Sequence, residues 1–265
     1  MGKLNFDFGK NWKNFSVNAL QGVNLTQSMQ DFQTLVGSAD LKGKSFLDIG
    51  FGQGLGLLNA TVLGAAVVGC DINPTCNEVL KLNKQHFPML PNVEIPVVVG
   101  SILEADTVSR IKSHRTNFDI VHAWGVLHHT GEMWKAIDIC TEFVAPDGLL
   151  ILSIYNRHWS SFSWKCIKWC YNISPQFVKW LMVKSFYLII YVAKFLVTGK
   201  NPLKKERGMN FYYDIIDWLG GYPYEYASIA EICNYLETNN FTSISVKKAK
   251  VPTGCNEFHF APKAK

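Results

Sequence analysis

Residues 44–71 have the sequence KSFLDIGFGQGLGLLNATVLGAAVVGCD, and this stretch decides the fold. Lys44–Ile49 is a short apolar run that ends at glycines, which predicts a buried strand followed by a turn. Gly54–Leu63 then predicts a helix, and Ala65–Cys70 predicts a second strand that Asp71 closes. A strand, a helix and a second strand in this order form the unit from which parallel sheets are built.

The same alternation continues along the rest of the chain. Further strands are predicted at Val93–Val99, Phe118–Ala123, Leu149–Ile154, Thr242–Lys248 and Asn256–Phe260. Two helices are predicted behind capping boxes: Met29–Val36 behind Ser28 and Asp31, and a helix from Ser228 to about Leu236 with Glu231. Two more are predicted, one that starts after Asn73-Pro74 and one at Glu132–Val144, which a turn at residues 146–148 follows. We therefore predict an α/β fold with a doubly wound, mostly parallel seven-stranded sheet, whose ligands bind outside the carboxyl ends of the strands.

The composition is that of a folded globular protein. Of the 265 residues, 48% are hydrophobic, 18% are charged and 13% are aromatic, which excludes global disorder. The seven cysteines include no CxxC pair, and no Asp/His cluster is evident in the sequence. We therefore expect reduced thiols in a cytosolic protein and no metal site. Residues 1–9 lack a basic start followed by an apolar run, so no signal peptide is expected.

The formal net charge of +5 is unevenly distributed along the chain. Residues 151–210 hold ten basic side chains against one acid, Glu206, and carry +9, whereas the rest of the chain carries −4. Half of all the tryptophans lie in the same segment: Trp159, Trp164, Trp169 and Trp180. We interpret residues 157–210 as a helical insertion after the fifth strand, and Pro175 is predicted to break its helix.

Two interpretations of this insertion stay open. Trp180–Val197 is the most apolar part of the chain. On one continuous helix, five lysines would fall within a sector of about 160°, namely Lys165, Lys168, Lys179, Lys184 and Lys194. An apolar body with a lysine face is typical of a helix that lies in a membrane interface. Alternatively, the segment is an active-site lid or a dimer element whose apolar face packs on protein.

The loop DIGFGQG at residues 48–54 indicates the ligand. Glycines let the backbone approach a ligand and lead into a helix N-terminus. A dinucleotide fingerprint needs a glycine at its sixth position, where this chain has Leu55, and Asp48 would repel a pyrophosphate. Asp48 would instead attract a ligand with a cationic amine and a sulfonium, and Asp71 can accept hydrogen bonds from both hydroxyls of a ribose. These residues disfavour a hydride-transferring dehydrogenase.

The loop and Asp71 together resemble the cofactor-binding motifs of class I S-adenosylmethionine-dependent methyltransferases. The resemblance covers Lys44 to about Ile154 and implies a Rossmann-like fold that binds S-adenosylmethionine and releases S-adenosylhomocysteine. The implied cofactor-binding residues follow the first four strands: Asp48, Gly50, Phe51, Gly52, Gly54, Asp71, Ile72, Ser101, Ile102 and Trp124. Phe51 departs from the small or thiol residue that is common in the family, so we expect its ring to tighten the cofactor pocket.

The flanks of this core complete the predicted layout. Residues 5–12, NFDFGKNW, resemble an N-terminal segment of some bacterial members that folds over the cofactor. Trp12 therefore either packs on the adenosine or is an ordinary core residue. We predict a helical cap over residues 1–43, a cofactor-binding core over 44–156, the insertion over 157–210, and C-terminal helices and closing strands over 211–265.

The loop after the fourth strand supplies a pair of histidines, His128 and His129. Methyl transfer from a sulfonium is an in-line displacement, so the protein mainly aligns the nucleophile, and a hydroxyl also benefits from a base of near-neutral pKa. Some sugar and phenol O-methyltransferases, which this chain resembles, have a histidine here. The resemblance implies His128 as the base, with His129 as the alternate. Glu257 or Glu225 could supply a carboxylate partner, and Tyr155 is expected on the substrate side.

We therefore expect a cytoplasmic S-adenosylmethionine-dependent O-methyltransferase. Its acceptor is expected to be an anionic small molecule or carbohydrate, including a nucleotide- or lipid-linked sugar. One alternative is a methyltransferase of a lipid or quinone acceptor, held peripherally at the inner membrane face through residues 157–210. Another is a non-catalytic protein that binds the cofactor. A nucleic-acid substrate is not expected, because the sequence holds no RNA-binding motif.

Overall fold

The computed structural model describes residues 6–9, 12–13, 16, 22–90, 92–199, 201, 203 and 211–263. Among these residues, seven strands form one sheet in the order β3-β2-β1-β4-β5-β7-β6. The strands are β1 (Ser45–Ile49), β2 (Ala66–Asp71), β3 (Val97–Val99), β4 (Phe118–Trp124), β5 (Val144–Tyr155), β6 (Phe241–Lys247) and β7 (Cys255–Pro262). Strands β1 to β5 pair in parallel, and β7 pairs antiparallel with β5 and β6. The predicted mostly parallel seven-stranded sheet is confirmed.

Helices cover both faces of this sheet. In chain order they are α1 (Gly22–Val36), α2 (Leu55–Val62), α3 (Thr75–Lys84), α4 (Ala105–His114), α5 (Met133–Glu142), α6 (Ser161–Ile173), α7 (Gln176–Thr198), α8 (Phe211–Gly220) and α9 (Ile229–Thr238). Successive residues of a strand point to opposite faces. Phe46 of β1 therefore packs with α1, α2 and α3, whereas its neighbour Leu47 packs with α4, α5 and α9. Both layers are fully buried, so the strands are apolar on both sides.

Strand β1 lies between β2 and β4, so the chain order reverses at the carboxyl ends of β1 and β4. Such a switch point opens a crevice where α/β proteins bind their ligands. The loop after β1 is the glycine loop, and the loop after β4 carries the histidine pair in a single 3₁₀ turn, Leu127–His129. The topology therefore brings the two motifs to one edge of the sheet.

Several local predictions are confirmed at the level of single hydrogen bonds. Helix α9 begins with the predicted capping box, in which the Ser228 hydroxyl accepts from the Glu231 amide and the Glu231 carboxylate accepts from the Ser228 amide. Helix α3 follows Asn73-Pro74, and the Asn73 side chain accepts from the Thr75 amide at 3.0 Å. Pro175 separates α6 from α7, as expected of a residue that cannot continue a helix.

Other boundaries differ from the predictions for physical reasons. Helix α1 begins at Gly22 instead of Met29. Ser28 does not cap a helix start, since it lies inside the helix and its hydroxyl accepts a hydrogen bond from the Asn59 side chain. Strand β3 is limited to Val97–Val99, behind Pro96, which has no amide to donate. The predicted turn at residues 146–148 lies within β5 as an irregularity in the pairing with β4. Helix α4, which the sequence did not predict, is mostly polar and exposed.

In the described residues, the predicted insertion contains two helices, α6 and α7, which we call the α6–α7 hairpin; residues 200, 202 and 204–210 of the predicted insertion lie outside the described residues. The hairpin packs on α8 through a small apolar cluster of its own, made of Tyr171, Val183, Phe211, Ile215 and Leu219. The predicted lysine face is wrong. Lys168 is fully buried, and the ammonium groups of Lys179 and Lys194 lie over the rings of Tyr171 and Phe211 at 5.7 and 5.5 Å.

The outward side of the hairpin is apolar instead. Gln176–Leu196 is long and apolar enough to cross a membrane by length and composition, yet only 6% of that window is buried. Most of the large hydrophobic side chains that are exposed in the described residues lie here, including Phe162, Trp169, Phe177, Leu188, Ile189 and Leu196. Helix α7 therefore exposes many apolar side chains together with Lys184, which is unusual for a surface that faces water.

Candidate active site

The glycine loop is enclosed by two neighbours that leave no room for side chains. Gly50 and Gly52 have positive φ values of +70° and +54°, which only glycine adopts at low cost. A Cβ atom at Gly50 would collide with Val126 in the loop after β4, and one at Gly52 would lie 3.2 Å from the indole nitrogen of Trp12. Gly54 is the N-cap of α2. The loop is therefore confined between the N-terminal segment and the histidine-bearing loop.

Asp71 fixes this loop from the end of β2. Its carboxylate accepts hydrogen bonds from the amides of Gly52 at 3.0 Å and Asn73 at 2.9 Å. Burial raises the pKa of the Asp71 carboxyl, and the two amide donors work against that rise. The next residue, Ile72, is 60% exposed at the edge of the loop. Asp71 and Ile72 therefore stand where the sequence placed them, beside the glycine loop.

Asp48 lies beneath the loop instead of on its surface. It is 3% exposed, and its carboxylate accepts a hydrogen bond from Nδ1 of His122 at 2.7 Å. A Cβ atom at Gly56 would lie 2.6 Å from the second carboxylate oxygen, so that glycine permits the close approach of α2. Contact between Asp48 and the cofactor's amine stays a prediction.

His122 is a site residue that the sequence reasoning missed. Its ring stacks between Phe46 and Trp124, with centroid distances of 5.6 and 5.8 Å, and its Nε2 is buried without a hydrogen-bond partner among the described residues. The available signal was its place in β4: His122 and Trp124 are two residues apart and therefore share a face. Trp124, predicted to close the cofactor pocket, is thus held by a ring stack that begins in the core.

Two predicted cofactor residues turn their side chains into the core. The Phe51 ring is buried and lies against Gly69 and Leu57, so the prediction that it tightens the cofactor pocket is wrong. The Ile102 side chain is 5% exposed and belongs to the cluster on the opposite face of the sheet. A contact between the cofactor and either residue stays a prediction. Ser101 stays at that edge, and its hydroxyl accepts from the Leu103 amide.

The two histidines differ in what they can do. His128 is 1% exposed, and its ring packs on Tyr155 with a centroid distance of 4.0 Å. Its Nδ1 accepts a long hydrogen bond from the Tyr155 amide at 3.4 Å. His129 is only partly buried, and its Nδ1 lies 2.7 Å from the carbonyl oxygen of Pro223. A carbonyl only accepts, so Nδ1 of His129 carries the proton and Nε2 is left as the basic nitrogen.

Both histidines are held in the neutral form. Burial, together with the positive charge of Lys168, lowers the pKa of His129 to about 3. Burial also places the pKa of His128 well below its ordinary value, with His129 and Lys168 adding to the effect. The geometry therefore favours His129 over His128, the reverse of the predicted order.

Lys168 is the second site residue that the sequence reasoning missed. It reaches from α6 into the core, where its ammonium donates to the carbonyl of Trp218. The same ammonium lies over the rings of Tyr224 at 4.9 Å, Trp218 at 5.0 Å and Tyr155 at 5.6 Å. Burial lowers the pKa of Lys168 to about 7. Sequence patterning counted this lysine among surface charges, which is the usual place for the residue type.

The predicted carboxylate partners are engaged elsewhere. Glu257 lies on β7, opposite Ser153 of β5, and its carboxylate pairs with the Lys247 ammonium at 2.8 Å. The Glu225 carboxylate accepts from the amide of Met133 and so caps the start of α5. In the described residues, neither carboxylate makes a hydrogen bond to a histidine ring, and Glu225 meets the pair only through its backbone amide, which donates to the His128 carbonyl at 2.9 Å. The assignment of Glu257 to catalysis stays a prediction that no contact supports.

The N-terminal segment lies across both loops. The Asn73 side chain donates to Asp7 at 2.6 Å, and the Phe6 amide donates to the Tyr222 carbonyl at 3.2 Å. The Phe8 ring lies 5.1 Å from the His129 ring. Phe6, Asp7, Phe8 and Trp12 therefore contact the carboxyl edge of the sheet, and a cap over the cofactor stays a prediction. In the part of the chain that the structure describes, no group of His, Cys, Asp and Glu could hold a metal ion.

A family model described as a methyltransferase domain matches residues 24–246 of the chain. The chain belongs to this family. It is a class I S-adenosylmethionine-dependent methyltransferase, with the Rossmann-like fold that its resemblance implied. Among solved structures, it is similar to magnesium protoporphyrin IX methyltransferase from Synechocystis PCC 6803 with bound S-adenosylhomocysteine. The TM-score is 0.56 at 14% identity, with 96% of this chain and 94% of that chain covered.

Curated relatives match a smaller part of the methyltransferase. It is 32% identical over 125 residues to a ubiquinone biosynthesis O-methyltransferase of Rhodopseudomonas palustris strain HaA2, with 46% of this chain and 44% of the relative covered. It is 34% identical over 123 residues to the protein of the same name from Bradyrhizobium sp. strain ORS 278, with the same coverage. The chain thus spans less than half the length of the curated relatives it matches.

The residues at the carboxyl edge fit S-adenosylmethionine, the cofactor of this family. Gly50 and Gly52 keep the loop free of side chains, so a ligand can approach its backbone closely. Asp71 presents a carboxylate beside that loop, suited to ribose hydroxyls, and the acids of this edge suit a cationic ligand. The methyltransferase would thus hold the cofactor with the glycine loop, Asp71 and Ile72.

We predict that a methyl group at Gly52 weakens cofactor binding through crowding. In Gly52→Ala, Trp12 must yield to the new Cβ atom, and S-adenosylmethionine affinity should fall on the order of tenfold, about 1.4 kcal/mol. Gly43→Ala is the matched control, because Gly43 has a similar φ of +77° with nothing within 4 Å of its Cβ position. Both variants should lose about 1–2 kcal/mol of folding stability. Equal calorimetric affinities for the two variants would contradict this account.

The buried neutral histidines also predict how stability changes with pH. The unfolded chain takes up a proton at His129 near its ordinary pKa of 6.5, whereas the folded chain does so only near 3. The free energy of unfolding should therefore fall as the pH drops from 7.5 to 5, by about 2 kcal/mol for this residue. Urea denaturation at both pH values should show a smaller fall in His129→Gln. An equal fall would mean that His129 is protonated in the folded state.

Proposed function

We propose that this methyltransferase transfers a methyl group to a hydroxyl of a small acceptor, and that His129 takes the hydroxyl proton. The cofactor supplies an electrophilic methyl group on a sulfonium. The observation that carries the proposal is the hydrogen bond from Nδ1 of His129 to the Pro223 carbonyl, which orients the ring and leaves Nε2 as acceptor. O-methylation needs such an acceptor, because a hydroxyl becomes a stronger nucleophile as its proton leaves.

The surroundings of His129 favour an aromatic or otherwise apolar acceptor. The rings of Phe8 and Tyr155 lie 5.1 and 5.6 Å from the His129 ring. Aromatic walls exclude water and pack well on a flat substrate. A carboxylate does not contact the histidine pair in the described residues, so the proposal needs no charge-relay partner.

The test replaces His129 while leaving its support in place. In His129→Gln, the side-chain amide can still donate to the Pro223 carbonyl but cannot take a proton, so the rate of methyl transfer should fall by about 10²–10⁴-fold. Calorimetric binding of S-adenosylmethionine should be unchanged. His128→Gln is the comparison, and we expect a smaller loss of rate. A larger loss in His128→Gln than in His129→Gln would move the base to His128.

We further propose that the acceptor is taken from a membrane and that the enzyme lies peripherally on its surface. The α6–α7 hairpin supports this, because its outward side is apolar and residues 151–205 contain no Asp or Glu. An acid-free surface with exposed lysines at positions 165 and 184 suits anionic headgroups. The quinone chemistry in the names of the curated relatives agrees with a lipid-phase hydroxyl.

Liposome flotation tests the membrane contact. The enzyme should float with vesicles that contain anionic phospholipid, and replacing Leu188 and Ile189 with Gln should weaken the binding at least tenfold, because both side chains are more than half exposed on α7. The matched control replaces Ile244 and Val246, which are exposed on β6. If both double variants float like the wild type, the hairpin is not the contact.

The acceptor itself can be found with labelled cofactor. A cell extract is incubated with enzyme and S-adenosylmethionine labelled in the methyl group, and is then divided into lipid and aqueous fractions. Label in the lipid fraction that depends on His129 supports the proposed acceptor. Label confined to the aqueous fraction would exclude it, and label on a sugar there would favour the carbohydrate acceptor that the sequence suggested.

A further inference from the structure

We infer that Lys168 is a positioning residue of the methyltransferase, and that its charge state sets how readily His129 accepts a proton. The inference rests on the proposed role of His129 as the base. It concerns a residue of the insertion, outside the cofactor-binding motifs and the histidine turn. Its consequence is that the α6–α7 hairpin takes part in the chemistry through one side chain.

The first support is where the ammonium lies. Lys168 is fully buried, and its ammonium contacts the same tyrosine ring, Tyr155, that both histidine rings contact. The centroid of the Tyr155 ring lies 5.6 Å from the Lys168 ammonium, 4.0 Å from the His128 ring and 5.6 Å from the His129 ring. A buried charge is screened little by water, so it acts strongly on neighbouring titratable groups. Lys168 is therefore placed to influence the histidine pair.

The second support is how the ammonium is held. The Trp218 carbonyl accepts its hydrogen bond, and three aromatic rings surround it. No carboxylate forms an ion pair with it among the described residues. A carbonyl and ring faces stabilise a cation less than a carboxylate does, so both charge states of Lys168 are accessible near neutral pH. A lysine tied to a carboxylate would stay charged throughout.

Four groups face Lys168 from the elements packed around it. Tyr155 faces it from β5, Cys255 from the start of β7, Asp217 from α8 and Tyr224 from the segment before α9. Burial raises the pKa of Tyr155 well above its ordinary value and that of Cys255 to about 12, so both stay neutral near pH 7. Both histidines are neutral at this pH, so Lys168 is the group of this cluster whose charge can change there.

The direction of the effect follows from charge repulsion. A protonated Lys168 disfavours a second cation, so it keeps His129 a weak base. When Lys168 loses its proton, the pKa of His129 rises and its Nε2 accepts a proton more readily. Methyl transfer should therefore increase as the pH rises through the Lys168 midpoint. Since α6 carries Lys168, displacement of the hairpin would remove the charge and have the same effect.

Nuclear magnetic resonance tests this without any acceptor. In the wild type, the carbon shift of the Lys168 side chain should titrate near pH 7, and the ring-nitrogen shifts of His129 should show an inflection at the same midpoint. Lys168→Met removes the charge, so the inflection should vanish and the pKa of His129 should shift upward. Lys168→Arg keeps the charge at all pH values, so the inflection should vanish without that upward shift. Lys165→Met, an exposed lysine of the same helix, should behave like the wild type.

The outcomes separate this inference from the proposed function. If His129 shows no inflection while Lys168 titrates, or if its pKa is unchanged in a folded Lys168→Met, the inference is overturned. Should Lys168→Met not fold, the wild-type inflection and Lys168→Arg still decide. A coupled titration together with full activity of His129→Gln would leave the electrostatic link in place and refute the base. With labelled cofactor and an acceptor identified as above, the rate of methyl transfer should no longer increase around pH 7 in either Lys168 variant. The rate should be high at all pH values in Lys168→Met and low at all pH values in Lys168→Arg.

Discussion

The buried hydrogen bond between Asp48 and His122 joins the two strands on which the active site is built. These residues are direct neighbours across β1 and β4, and the side-chain bond of 2.7 Å adds to the backbone pairing. An unpaired carboxylate at this depth would cost several kcal/mol, so the pair constrains both strand ends. The glycine loop leaves one strand within two residues of Asp48, and the histidine turn follows the other. Their separation is thus determined beneath the site instead of within it.

The sequence predicted those parts of the protein that local chemistry determines. Glycines at residues 50 and 52 were recognised because only glycine suits their backbone, and the capping box at Ser228 was recognised because both of its partners lie within four residues. Asp71 was found by its place at a strand end. In each case the constraint acts over a few residues, and a single sequence displays it.

The parts that the sequence missed depend on tertiary contacts. Phe51 turns inward because Gly69, on the next strand, leaves space for its ring. Lys168 is buried because α8 and β5 supply a carbonyl and aromatic rings far away in sequence. Helical periodicity grouped the lysines of the hairpin in one sector, but it could not show which of them are buried against protein. The contact that distinguishes His129 from His128 likewise comes from Pro223, 94 residues away from His129.

Three lysines of the hairpin place their ammonium groups over aromatic rings, and this has a consequence for how the hairpin is attached. Lys179 and Lys194 contact Tyr171 and Phe211, and residues 151–205 offer no acid for an ion pair within the hairpin itself. Dissolved salt weakens exposed ion pairs, whereas apolar packing and partly buried cation–ring contacts are screened far less. The cohesion of the hairpin with α8 is therefore suited to surroundings of high ionic strength, including the dense counterion layer next to a charged surface.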